Sequence, residues 1–288
     1  MTATAVPLPR RLASLVRIEH TVFALPFAYV GAFLAVDGWP GLANIAWVTV
    51  AMTAARTLAM ALNRLVDAEL DARNPRTASR ELPSGALSRA QVAALALAAL
   101  AVFLVAVFQL DPIVRWLWPI PVAMFFAYPY LKRFTWLCHL WLGACLGLAP
   151  VGAWLAVSGS APWEAWAIGA AVLLWVAGFD LFYSLYDLEH DRHEGLHSWA
   201  TRFGEVAVFW TARAFHSGTV LLLAVAGLGL ERGVVYWLGV AAVGALLAYE
   251  HAIVRPGDLR RLDAAFFTVN GVISVVFFLF VALDVLVA

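Results

Sequence analysis

Of 288 residues, 63% are hydrophobic and 13% are charged, and the mean hydropathy is +0.83. A soluble domain has roughly a quarter of its residues charged, so composition alone excludes one and assigns this chain to a membrane. The formal net charge is zero, which gives no sign of a nucleic-acid partner.

Apolar stretches separated by polar joints run over 10–36, 43–68, 88–110, 113–131, 136–158, 163–188, 204–229, 233–254 and 263–287. Each approaches the roughly 20 residues that cross about 30 Å of hydrocarbon as a helix, which predicts about nine crossings. Long continuous apolar runs do not alternate as barrel strands would, so the crossings are helices. Met1 to Pro9 lacks the charged region and cleavage site of a secretory signal. Ser88-Arg-Ala-Gln91 reads as a capping box that opens the third segment. Gly143 and Gly147 form a small-xxx-small pair suited to close helix packing. Cys138 and Cys145 lack metal-type spacing and read as inert buried thiols.

Charge divides the joints into two sets. The N-terminus carries Arg10, Arg11 and Arg17, and Arg73, Arg76, Arg80 and Arg89 follow the second segment. Lys132 and Arg133 follow the fourth, Arg192 and Arg202 the sixth, and Arg255, Arg260 and Arg261 the eighth. The alternate joints hold little beyond Arg115 and Arg232. By the positive-inside rule the N-terminus and the joints after even-numbered segments are cytoplasmic. No linker or soluble domain interrupts the pattern, so 1–288 is expected to be a single domain.

Two acidic rows dominate the polar residues. Asn63, Asp67 and Asp71 are spaced i, i+4 and i+8, and Asp180, Tyr183, Asp187 and Asp191 are spaced i, i+3, i+7 and i+11. Both spacings stack groups along one helical face, and both rows end a segment on the cytoplasmic side. Carboxylates are costly against hydrocarbon, so paired rows call for a compensating cation. Oxygen donors without nearby His or Cys suit a hard cation, and Mg²⁺ takes a few carboxylates plus phosphate oxygens and water. Arg76, Arg80, Lys132, Arg133, Arg192 and Arg56 are the basic residues available to phosphate oxygens; Arg56 lies seven residues before Asn63 on the same face. The bland alternative is that these acids are solvated helix ends balanced by loop arginines. It is weakest for Asp180, about two turns inside its segment.

Asn63-x-x-x-Asp67-x-x-x-Asp71, followed by Asn74-Pro-Arg-Thr-Ala-Ser-Arg80-Glu-Leu-Pro-Ser-Gly85, resembles the first signature of the UbiA superfamily of intramembrane prenyltransferases. Asp180-x-x-Tyr183-x-x-x-Asp187-x-x-x-Asp191, with Gly195-Leu-His-Ser198, resembles the second. The resemblance covers the whole chain. It implies an all-α membrane bundle of nine transmembrane helices around a central cavity open to the cytoplasmic side. It implies that Asn63, Asp67, Asp71, Asp187 and Asp191 bind Mg²⁺-diphosphate while Tyr183 and Asp180 line the cavity. Tyr128-Pro-Tyr130 with Lys132-Arg133 resembles the family's phosphate-side segment. One departure is Glu81, where the family pattern has proline.

The implied reaction is transfer of a polyprenyl group from its diphosphate to a small aromatic acceptor within the bilayer. Mg²⁺ would favour ionisation of the allylic C–O bond. Aromatic faces such as Phe27, Tyr128 and Tyr183 would shield the cation. Asp191, Asp180 or the released diphosphate would take the ring proton. The Asp-Arg-x-x-Gly-Leu-His-Ser form at 191–198 resembles members that prenylate 4-hydroxybenzoate or a menaquinone precursor, which implies a respiratory-quinone role in a prokaryotic inner membrane. Haem-O and chlorophyll synthase-type transfer are the alternatives within the family, and a cation-coupled transporter is the alternative outside it. A transporter would place its acids near the midplane in helices interrupted by Gly or Pro. Of the other polar residues, Glu19-His20 falls in the first segment, and Arg213 and His216 are expected to pair with an acid on a neighbour. His139 and His251 read as interfacial, and most Trp as a membrane belt.

Overall fold

The structure, a computed structural model, describes residues 7–16, 21–255 and 268–287. Among the described residues there are thirteen α-helices: α1 Leu8–Val16, α2 Thr21–Val36, α3 Leu42–Arg73, α4 Arg89–Phe108, α5 Val114–Leu117, α6 Pro119–Leu131, α7 Cys138–Ser158, α8 Trp163–Tyr183, α9 Leu188–His193, α10 Trp199–Phe203, α11 Glu205–Gly229, α12 Val234–Ile253 and α13 Asn270–Val287. A 3₁₀ turn, Ser184–Asp187, joins α8 to α9. Among the described residues seven helices are long and apolar enough to cross a bilayer: α3, α4, α7, α8 with its extension, α11, α12 and α13. The protein is an integral, multi-pass membrane protein. α2 and α6 are shorter apolar helices and fill two further segments of the sequence pattern.

Three expected segments are subdivided. The segment over 10–36 contains α1 and α2. α1 turns Leu15 and Val16 against Leu58, Ala61 and Val92 of α3 and α4, and Arg11 Nη1 donates to the Ala86 carbonyl at 2.7 Å. The segment over 113–131 breaks between α5 and α6, where Pro119 and Pro121 begin a new helix and Pro suits a first turn. The segment over 163–188 leaves α-helical geometry after Tyr183, a difference that reshapes the second acidic row.

Packing around α8 organises the scaffold. The Gly143–Gly147 pair works as expected: a Cβ at Gly143 would collide with the carbonyl oxygen of Leu173, and one at Gly147 with that of Gly169. α7 and α8 therefore approach backbone to backbone, the contact small residues permit in a membrane where no hydrophobic force separates helix from lipid. On the far side of α8, Trp175 is fully buried, lies 5.0 Å from the Phe27 ring, and donates Nε1–H to Asn270 Oδ1 at 2.6 Å. Phe27 is 2% exposed in this core. It is a packing residue between α2, α8 and α13, which corrects its assignment to the reacting cavity.

Helix length then places the acids. At about 1.5 Å per residue, the 32 residues of α3 extend about 48 Å, roughly 18 Å more than the hydrocarbon thickness. The surplus corresponds to about a dozen residues, the stretch that carries Asn63, Asp67 and Asp71. The 21 residues of α8 cover only about 31 Å, so Asp180 falls in its last turn, and Asp187 and Asp191 follow beyond it.

Candidate active site

The first row is held on one unbroken helix. α3 ends where Asn74 adopts an extended conformation before Pro75, which cannot continue a helix. The Asn74 side chain then does two things. Its Oδ1 accepts from the Arg76 amide at 2.9 Å, closing an Asx turn, and its Nδ2 donates to Asp187 Oδ1 at 2.8 Å. The turn swings Arg76 across to the second row. Arg76 Nε donates to Asp187 Oδ1 at 2.8 Å, its Nη2 pairs with Asp187 Oδ2, and its Nη1 donates to the Tyr183 hydroxyl at 2.9 Å. The two rows therefore face each other on one side of the bundle.

Each buried carboxylate of the first row has its own cations. Asp67, 3% exposed, receives Lys132 Nζ at 2.7 Å, Arg133 Nη2 at 3.2 Å and Asn63 Nδ2 at 3.2 Å. Asp71, 6% exposed, receives Arg80 Nη1 at 2.8 Å to both oxygens, with Arg64 Nη1 at 3.9 Å. Thr77 Oγ1 ties the loop back to the Asp71 carbonyl at 2.9 Å. Such pairing is what permits burial, because an unpaired carboxylate there would cost several kcal/mol. Burial works against the charge of Arg76, yet its hydrogen bonds to Asp187 and Tyr183 more than offset this and hold its pKa above the ordinary arginine value.

The second row does not follow one α-helical stripe. The turn from Ser184 to Asp187 is 3₁₀, and Ser184 Oγ donates back to the Leu181 carbonyl at 2.7 Å. Leu185 turns inward onto Leu181, Phe182 and Phe209. Asp187 ends at the N-cap of α9 without capping it, since its oxygens go to Arg76 and Asn74. Asp191 lies within electrostatic reach of Asp187, Lys132, Arg76 and His139, which puts it beside both rows. Tyr128 is within reach of Asp67 and Asp180.

Asp180 has a partner that sequence reasoning did not assign. His139 is not interfacial: it is 5% exposed, with Nδ1 2.7 Å from Asp180 Oδ2. Nothing in the spacing links two residues 41 apart, so only the packing of α7 on α8 reveals the contact. Asn74 and Arg64 were also unassigned, although each lies close in sequence to a member of the first row. Arg192 is not brought to the cluster. It pairs with Glu189 at 3.0 Å on an exposed face. Arg56 is half-buried on α3, two turns before Asn63.

Other expectations resolve nearby. Arg213 sits over the Trp210 ring at 5.0 Å instead of pairing with an acid. His216 is buried, 3.9 Å from Glu250 on α12 and 3.0 Å from His251, which is half-buried in the last turn of that helix. Glu19 and His20, with Arg17, Arg260 and Arg261, lie outside the described residues.

The donor set fits Mg²⁺ held jointly with a phosphate ligand. It is made of carboxylate and amide oxygens, and among the described residues no three Asp, Glu, His or Cys groups converge into a self-sufficient metal cage. Mg²⁺ is usually bound by one or two carboxylates plus substrate phosphates, whereas a structural metal needs a complete protein cage. Arg76, Arg80, Lys132 and Arg133 each rest on a carboxylate and carry the charge that a phosphate ligand would call for.

Comparison with known proteins identifies the family and the fold. The model of the UbiA prenyltransferase family matches residues 24–280. A 4-hydroxybenzoate octaprenyltransferase of Aromatoleum aromaticum is 32% identical over 85% of this chain and 83% of its own. One from Xanthomonas euvesicatoria is 32% identical over 94% of this chain and 91% of its own. The apo structure of a UbiA homologue from Aeropyrum pernix superposes with a TM-score of 0.85 at 33% identity, covering 94% of this chain and 99% of that one. A UbiA homologue from Archaeoglobus fulgidus bound to DMAPP and Mg²⁺ shares the fold, with a TM-score of 0.76 at 18% identity, over 96% of this chain and 99% of that one.

Proposed function

The chain belongs to the UbiA prenyltransferase family, and from that premise we propose that it transfers a polyprenyl group from its diphosphate to 4-hydroxybenzoate, a step toward a respiratory quinone, in a prokaryotic inner membrane with the site on the cytoplasmic side. The observation that carries this reading is the bridge from Asn74 and Arg76 to Asp187, which brings two rows of oxygen donors and their cations onto one site. The acceptor follows the relatives named for 4-hydroxybenzoate. The arginine- and lysine-rich joints that share the site's side support the cytoplasmic orientation.

The contacts support a role for each group. Asn63, Asp67, Asp71, Asp187 and Asp191 supply oxygens to the metal–diphosphate group. Bound Mg²⁺ supplies Lewis-acid stabilisation to the leaving diphosphate. Arg76, Arg80, Lys132 and Arg133 exchange a carboxylate for a phosphate oxygen, a swap between charge-assisted bonds that leaves no ion unpaired. Tyr183, held by Arg76, and Tyr128, near Asp180, present aromatic faces to the allylic cation and exclude water. Arg56, deeper on α3 and two turns before Asn63, is the further basic residue available to phosphate oxygens.

Purified protein in lipid nanodiscs, given octaprenyl diphosphate, 4-hydroxybenzoate and Mg²⁺, is expected to form the prenylated acid and release diphosphate. EDTA should stop the reaction, and added Mg²⁺ should restore it. Product formation undiminished by EDTA, or no product across a panel of aromatic acceptors, would overturn the reading.

A further inference from the structure

We propose that His139 is a positioning residue that fixes Asp180 as a carboxylate with one oxygen free for the aromatic acceptor, and that the loop over 189–203 sets it in place. The inference rests on the function proposed above. His139 and Asp180 are 2.7 Å apart, and the other ring nitrogen of His139, Nε2, receives the Trp199 backbone N–H at 3.3 Å. A backbone amide has only a proton to give, so Nε2 carries the lone pair and the ring proton sits on Nδ1. His139 therefore donates to Asp180 Oδ2. Among the described residues Asp180 Oδ1 has no hydrogen bond, and the side chain keeps 17% of its surface exposed.

The sequence builds this arrangement from the loop side. Trp199 is the first residue of α10, whose opening amides have no partner within the helix. Ser198 caps one of them, accepting from Thr201 N at 3.1 Å, and His139 takes another. The same joint between α6 and α7 is clamped to the loop by His197 N–H on the Lys132 carbonyl at 2.7 Å and by the edge-on contact of Trp136 with Trp199 at 4.8 Å. One short joint thus sends Lys132 to Asp67 and His139 to Asp180.

The chemistry balances without a further reactant. The allylic C–O bond breaks with its electrons on the diphosphate, and the acceptor ring carbon forms the new C–C bond. The ring then gives up its C–H proton to Asp180 Oδ1 and recovers aromaticity. A fixed Nδ1–H donor keeps that oxygen in one orientation for the transfer.

The test uses the full chain in nanodiscs, with kcat and KM measured for octaprenyl diphosphate and 4-hydroxybenzoate. Asn places an amide N–H near the position of Nδ1, whereas Gln reaches only the position of Nε2. His139→Ala and His139→Gln are expected to lose kcat by about 10- to 100-fold, the weight of a hydrogen bond to a charged group, with KM for the diphosphate unchanged. His139→Asn should keep most of the wild-type kcat. Asp180→Ala combined with His139→Ala should be no slower than Asp180→Ala alone, because the histidine acts through the carboxylate. Wild-type kcat in His139→Ala, equal losses in the Asn and Gln variants, or multiplicative losses in the double variant would overturn the inference while wild-type transfer leaves the proposed function standing. Absence of transfer by the wild type would instead overturn the function, and this inference with it.

Discussion

The two acidic rows hold the same kind of residue in different ways. The first sits on the unbroken end of α3, and each of its buried aspartates is met by cations: Lys132 and Arg133 on Asp67, Arg80 and Arg64 on Asp71. The second crosses a change from α to 3₁₀ geometry, and Asp187 depends on one arginine and one asparagine donated by the loop after the first row. Spacing can thus place carboxylates on a face, but the segments packed opposite decide how they are held. The first row is a fixed platform. The second row is held less firmly at Asp187, whose partners Arg76 and Asn74 lie outside the apolar cluster that packs Leu185.

The largest effect should come from removing one carboxylate of each row. Asp67→Ala and Asp187→Ala are each expected to lower prenyl-transfer kcat by on the order of 10²–10³-fold, as loss of a group that stabilises developing charge does. Only Asp67→Ala should also lower the melting temperature, because it leaves Lys132 and Arg133 facing each other without their acid. Equal destabilisation in both variants would erase the distinction between the platform and the less firmly held row.

A smaller change should isolate the bridge. Arg76→Lys keeps the charge but loses the two-pronged grip on Asp187 and the bond to Tyr183. KM for the prenyl diphosphate is expected to rise about 10- to 100-fold, the range of one hydrogen bond to a charged group. An unchanged KM would show that Arg76 does not serve the diphosphate.

The smallest effect belongs to an ion pair at the other end of α3. The hydrogen bond from Arg232 holds Asp37 below its ordinary value of 3.8, although burial pulls the other way. Its stabilisation is present above that value and fades as pH falls through the lowered folded-state pKa. Because Asp37 is 65% exposed, Asp37→Asn should cost less than about 1 kcal/mol at neutral pH, and the cost should shrink steadily as the solution is acidified below the ordinary aspartate range. Unfolding measured in detergent across that range checks it, and a larger cost would mean that exposed pairs matter as much here as the buried site pairs.

Read along the chain, the residues alone specify the membrane character, the approximate order of apolar segments, the Ser88 cap, the close approach at Gly143 and Gly147, and the identity of both acidic rows. These are local properties: hydrophobic run length, capping chemistry and helical periodicity are written within a few neighbouring residues. Helix packing selects which cation from outside α3 meets which acid, and it brings His139 to Asp180 and Asn74 to Asp187 while keeping Phe27 and Arg192 away from the acidic rows. It also bends the second row at Ser184, where burial of Leu185 outweighs the α-helical repeat. Those two contacts join residues 41 and 113 positions apart, and a pairing across helices depends on how the helices pack, which no local spacing encodes.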